Sequence, residues 1–197
     1  ADDIGAYEHQ NTWNGSQSTN WNTAANWTEN VVPVSGRSPI IAPTSNNPII
    51  NGNDGSSNDG NVELDNITIK SSAALTIEKD GSLNIAKDFN NQGTVTLNSD
   101  SDEFASMIVE GTATGNITYN KYVNYVGSDE WDLVGSPVIN QSISGFVTTN
   151  DDPLAIDPTG PTYYALGTHD AATNNFTNYT GATVGSAGNF IPAKGYQ

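Results

Sequence analysis

From Val62 onward, hydrophobic and polar positions alternate in short runs: Val62/Leu64, Ile67/Ile69, Leu75/Ile77, Leu83/Ile85, Val95/Leu97 and Ile117/Tyr119. Successive side chains of an extended strand point to opposite faces, so each run predicts a half-buried β-strand. The pairs Ile67/Ile69, Leu75/Ile77 and Leu83/Ile85 recur at intervals of eight, separated by Ser71-Ser72 and Asp80-Gly81, and Phe89 to Leu97 continues after Asn90-Asn91-Gln92-Gly93. A short fixed interval suits a parallel β-solenoid, in which each strand stacks on the last and no repeat buries its apolar side alone. A β-meander predicts a similar pattern, with Asp80-Gly81 as its two-residue hairpin turn. The solenoid is the leading reading.

The pattern divides the chain into four stretches. Residues 1–10 read as the end of an upstream β-helix or a linker. Residues 11–59 carry Trp13, Trp21 and Trp27, then Pro33, Pro39, Pro43 and Pro48, which suits an edge and capping segment because proline removes a ladder donor. Residues 60–113 hold the solenoid-like repeats. Residues 114–197 are longer-stranded and more aromatic, with Gly, Pro and Asp turns, and predict a β-sandwich. Gly195-Tyr196 reads as the entry to a further strand, so a truncated sandwich is expected. Asn, Thr, Ser, Gly and β-branched residues dominate, so the fold class expected is all-β with almost no helix.

Charge narrows the partners. Six basic residues oppose twenty-two acidic ones, a net charge of −16. That excess repels phosphates and anionic membranes over roughly 8–10 Å and excludes nucleic-acid binding. It also favours a hard cation, and calcium is the ion expected. There is no cysteine, hence no disulfide and no thiolate chemistry. No run of about 18 apolar residues is present, so no membrane insertion is expected. Ala1-Asp2-Asp3-Ile4 lacks the regions of a signal peptide, and the true start is expected upstream.

Asp3-Ile4-Gly5-Ala6-Tyr7-Glu8 resembles the closing D-x-G-A-x-E signature of right-handed parallel β-helix domains in polysaccharide lyase-like proteins. A second resemblance covers most of the chain. It rests on Trp13-x-Gly15, Trp21 and Asn26-Trp27; Leu75-Thr76-Ile77, Gly81 to Ile85 and Phe89-Asn90-Asn91-x-Gly93; then Gly115 to Tyr119, Trp131 to Val138 and Ala193 to Tyr196. Together these look like the accessory modules of large extracellular proteins exported by the type IX secretion route. The resemblance implies export to the bacterial cell surface and a modular role beside neighbouring domains. It does not select a substrate.

The chemistry on offer is sparse. Trp13, Trp21 and Trp27 are the candidate carbohydrate-binding residues, because flat aromatic faces stack on sugar rings. The competing role, a buried structural corner, is the commoner one for Trp, Gly and Asn at such spacing. Candidate metal ligands are Asn51, Asn53, Asp54 and Asp59, with Asn58 beside them, and Asp100 and Asp102, with Glu103 beside them. Asp129, Glu130 and Asp132, and Asp151, Asp152 and Asp157, form further acidic groups. None has the EF-hand spacing, and a solvated turn is the default for each. His9 and His169 are far apart, and Ser136 in Val134-Gly135-Ser136-Pro137 lacks the second glycine of a nucleophile elbow. Sequons at Asn14, Asn26, Asn66, Asn116, Asn140, Asn175 and Asn178 matter only in a eukaryotic secretory pathway.

The expected function is therefore a non-catalytic extracellular accessory module, a spacer that holds polysaccharide or a cell-surface glycan. The alternatives are a calcium-stiffened adhesin stalk and the C-terminal part of a polysaccharide lyase-like β-helix enzyme.

Overall fold

The structure is a computed structural model that describes residues 10–52, 60–123, 132–150 and 163–197. It is all-β and divides into two compact units, residues 1–122 and 123–197.

The first unit is a three-sided parallel solenoid. One sheet runs β1 (Thr12–Trp13), β2 (Ile40–Ile41), β5 (Ile67–Ile69), β8 (Phe89–Asn91) and β11 (Ala113–Thr114). A second runs β3 (Ile49–Ile50), β6 (Ala74–Ile77), β9 (Thr94–Asn98) and β12 (Thr118–Asn120). The third holds β4 (Asn61–Leu64), β7 (Ser82–Ile85) and β10 (Ser106–Val109). All neighbours within these sheets are parallel.

The chain visits the sheets in rotation, which corrects the meaning of the eight-residue interval. Strands β5, β6 and β7 are three sides of one turn, and stacking occurs between residues further apart, as in Leu64 on Ile85, Leu75 on Val95 and Ile67 on Phe89. Asp80-Gly81 is a corner between two sheets, so the meander does not form. A Cβ on Gly81 would lie 2.7 Å from the Ile50 carbonyl oxygen of the turn below, which is why the corner takes glycine.

Inward positions of every strand pair meet in one core: Val62 and Leu64, Ile67 and Ile69, Leu75 and Ile77, Leu83 and Ile85, Phe89, Val95 and Leu97. Burying each stabilises the stack by about 1.5–3 kcal/mol relative to an exposed side chain. The two prolines that precede β2 and β3 also fit the stack. Pro39 and Pro48 have no N–H to donate, but their carbonyls accept from Thr68 and Thr76 on the next turn.

The solenoid outlasts its predicted end. Strand β11 pairs with β8 and β12 with β9, so the alternation at Ile117/Tyr119 belongs to a last solenoid turn and not to a sandwich starting at 114. Ile117 and Tyr119 pack against the solenoid core.

The second unit contains β13 (Val134–Gly135), α1 (Ile143–Thr149), β14 (Tyr163–Asp170), β15 (Asn175–Thr180) and β16 (Gly195–Tyr196). Among the described residues it is one antiparallel sheet, ordered β13-β16-β14-β15, with a helix against it, where a two-sheet sandwich was expected. Ser142 caps the helix by accepting the Gly145 N–H at 2.8 Å. Ile143 and Val147, one turn apart, pack with Leu166, Phe190 and Tyr196. Gly195-Tyr196 does form a strand, and it lies inside the sheet between β13 and β14. Among the described residues no helix is long and apolar enough to cross a membrane.

Candidate functional site

The tryptophans are not a sugar platform. Trp13 is 0% exposed and Trp21 and Trp27 are each 1% exposed, so no indole face is available for stacking. They pack edge-on in series, Trp13 on Trp27 at 5.1 Å and Trp21 on Trp27 at 4.7 Å between ring centroids. Trp13 Nε1 donates to the Asn46 carbonyl at 2.7 Å and Trp27 Nε1 to the Trp21 carbonyl at 2.9 Å. Trp27 contacts both other rings, and all three belong to the solenoid core beside β1, the end strand of its sheet among the described residues, so burial wins over display.

Beside them sits a residue that the sequence marked only as part of the Asn26-Trp27 motif and as a sequon. Asn26 is fully buried, and its Oδ1 accepts the N–H groups of Gln17 and Ser18 at 2.8 and 3.0 Å. Its Nδ2 donates to Ser18 Oγ and to the Asn20 carbonyl at 3.1 and 3.0 Å. This one amide holds the cap segment in shape, and in the folded protein the sequon there is closed to modification.

Among the described residues, Asn51, Asp80, Asp100 and Asp102 lie along one edge of the solenoid. Asn51 and Gly60 bracket the corner between β3 and β4. Asp80 lies at the next corner, and Asp100 and Asp102 at the one after. The ends of the first corner meet, because a Cβ on Gly60 would sit 2.6 Å from the Gly52 nitrogen. Gly52 in turn lies against Asp80, the corner of the next turn. Asn53, Asp54, Asn58 and Asp59 lie outside the described residues, as do Asp129, Glu130, Asp151, Asp152, Asp157 and His9.

Asp100 is already occupied. Its carboxylate accepts from Lys79 Nζ and from the backbone N–H groups of Asp102 and Glu103, the latter two at 3.0 Å. The Lys79 ammonium, aided by those two N–H groups, holds the Asp100 carboxyl down at about 2. Lys79 also reaches Glu103 at 3.3 Å. A calcium ion at this corner has to displace an ammonium from its ligands. Among the described residues no three His, Cys, Asp or Glu side chains are grouped to hold a metal. The Ser136 hydroxyl donates to the Val138 carbonyl at 2.7 Å, a turn contact.

One surface on the second unit does combine chemistries. An open trough of about 400 Å³ is lined by Leu133, His169, Phe176, Lys194 and Gly195. His169 and Phe176 face each other across β14 and β15, with ring centroids 4.9 Å apart. Phe176 is 46% exposed and Leu133 68% exposed. A Cβ on Gly195 would meet nothing within 4 Å, so the trough floor is bare backbone. Asn178, two positions along β15 from Phe176, lies on the same face and accepts from Gln197 Nε2 at 3.1 Å. The Lys194 ammonium rests 5.4 Å from the centre of the Tyr196 ring and makes no ion pair among the described residues.

A family of proteins described as a domain of unknown function, DUF8693, matches residues 12–197. The chain belongs to that family. The DUF8693 match begins at the first residue of β1 and spans both units, so solenoid and antiparallel sheet lie within a single family unit. No curated protein and no solved structure matches the chain.

Proposed function

We propose that the chain is a non-catalytic accessory module of an extracellular bacterial protein, in which the solenoid acts as a rigid spacer and the second unit holds polysaccharide. The observation that carries this reading is the solid, cross-tied stack of the first unit. Each turn adds about 4.8 Å of length. Side chains tie one turn to the next at its corners: Asn66 Oδ1 accepts the Asp88 N–H at 3.0 Å, and Asp88 Oδ1 accepts the Thr112 N–H at 2.9 Å. Lys87 pairs with Asp65 at 2.7 Å, and a column of Glu78, Asn98 and Asn120 runs along another edge with contacts of 3.1 and 2.9 Å. The interior is filled by aliphatic and aromatic side chains, which suits bearing length better than enclosing a substrate. The cell-surface setting comes from the resemblance to exported accessory modules, and the glycan is assigned to the second unit because Phe176 stands exposed in its trough. A calcium-stiffened stalk gains no support from Asp100, whose carboxylate is taken by Lys79.

Affinity electrophoresis of the full chain against a panel of plant and algal polysaccharides tests the holding role, with retardation by at least one expected. Uniform lack of retardation overturns that role. Incubating the same panel with the chain and assaying for new reducing or unsaturated ends tests the non-catalytic part, and the appearance of such ends overturns it.

A further inference from the structure

The second unit is acidic, yet its few basic residues are concentrated in one place. Residues 123–197 contain Asp129, Glu130, Asp132, Asp151, Asp152, Asp157 and Asp170 against one lysine, Lys194, no arginine, and one histidine, His169. Lys194 and His169 line the same trough. An exposed phenyl ring lies beside them, and a bare glycine floor lets a flat ligand approach the sheet.

We infer that this trough binds a single carboxylated sugar residue, a uronate, carried on an otherwise neutral glycan chain. The inference rests on the polysaccharide-holding reading and names its site and ligand. The apolar face of a pyranose ring packs on Phe176, as sugar rings do on exposed aromatics. The carboxylate meets the Lys194 ammonium, a charge-assisted contact about twice as strong as a neutral hydrogen bond. Lys194 is available for it because it has no carboxylate partner among the described residues, unlike Lys79 and Lys87. Charge also sets the limit to one uronate. The net −16 of the chain disfavours a polyanion, whose many carboxylates meet the acidic surface beyond the trough. Screening over roughly 8–10 Å leaves a lone carboxylate to sense its immediate neighbours.

The test is calorimetric titration of the full chain with a neutral β-linked xylo-oligosaccharide bearing one glucuronate, with the same oligosaccharide lacking it, and with polygalacturonate. The glucuronate form is expected to bind about tenfold more tightly than the neutral form, the equivalent of about 1.4 kcal/mol. Polygalacturonate is expected to bind more weakly than the glucuronate form. Lys194→Gln should remove the tenfold preference and bring the two oligosaccharides to equal affinity, and Phe176→Ala should weaken both forms. Circular dichroism on each variant checks that the unit still folds. Equal affinity for the two oligosaccharides, or a preference that survives Lys194→Gln in a folded protein, overturns the inference while leaving the holding role in place. Failure of every polysaccharide in the panel to bind overturns the holding role itself.

Discussion

The Trp27 indole stands nearly perpendicular to that of Trp21, 4.7 Å away, and donates its ring hydrogen to the Trp21 backbone carbonyl. Ring packing and the hydrogen bond act together in a site that excludes water, so truncation removes both and leaves a cavity. Trp27→Ala should destabilise the solenoid by about 3–5 kcal/mol. Trp27→Phe keeps part of the ring contact but orphans the Trp21 carbonyl, and should fall between the two. Urea unfolding followed by circular dichroism measures the order. A wild-type midpoint for Trp27→Ala would show that the cap does not close the core.

Asn26 is a more exacting site than its size suggests, because both ends of its amide are used. Asn26→Asp keeps the acceptor for Gln17 and Ser18 but turns the second oxygen, with no hydrogen to offer, toward the Asn20 carbonyl. A buried carboxylate facing a carbonyl should lower stability by about 3 kcal/mol or more. The same denaturation experiment reads it. The loss should shrink as the pH is lowered and the new acid becomes protonated, since the neutral form again has a proton to donate.

Strand identity was legible because burial in a sheet follows a two-residue period: Ile67/Ile69 and Leu83/Ile85 point inward as their alternation requires. How those strands associate was harder to read. One side of a three-sided turn and one whole stacked repeat produce the same local alternation, and only the long-range register of Leu75 on Val95 separates them. That register is uneven along the chain because corners such as 51–60 and 99–105 differ in length, which hides the repeat. The Trp cluster drew attention to the right segment, but composition does not tell a displayed indole from a closing one. Helix α1 is brief and poor in strong helix formers, and its one clear signal is Ser142 ahead of Ile143 and Val147. The trough was not legible at all, since Leu133, Phe176 and Lys194 meet only through pairing across β13, β16, β14 and β15.

Gly115 and Gly36 share a positive φ, +87° and +85°, but not a neighbourhood. A Cβ on Gly115 would overlap the Asn91 carbonyl of the turn below at 1.9 Å, whereas one on Gly36 meets nothing within 4 Å. Gly36→Ala therefore carries only the left-handed backbone penalty, about 1–2 kcal/mol. Gly115→Ala adds a clash with backbone that cannot be relieved by rotating a side chain, and should lower the unfolding midpoint clearly further. Equal midpoints for the two variants would mean that the turns are not in close contact at Asn91.

The Lys79–Asp100 pair predicts an acid-labile corner. The Asp100 carboxyl is held at about 2, below its ordinary 3.8. A depressed value means that folding favours the ionised form, so this contribution is present above about pH 4 and is lost as the pH falls toward about 2. Lys79 is shifted the other way, above 10.5, by Asp100 and Glu103, so its share is present below 10.5 and lost as the pH rises past it. The pair is exposed to solvent, and salt should weaken it. Asp100→Asn leaves Oδ1 able to accept from the Asp102 and Glu103 N–H groups, so the corner keeps its shape and loses only the charge. Melting temperatures across the acid range should show the wild type above the variant near neutrality and the two converging near pH 2. Added salt should narrow the gap at neutral pH. Parallel curves throughout the range would mean that the ion pair contributes nothing to folding.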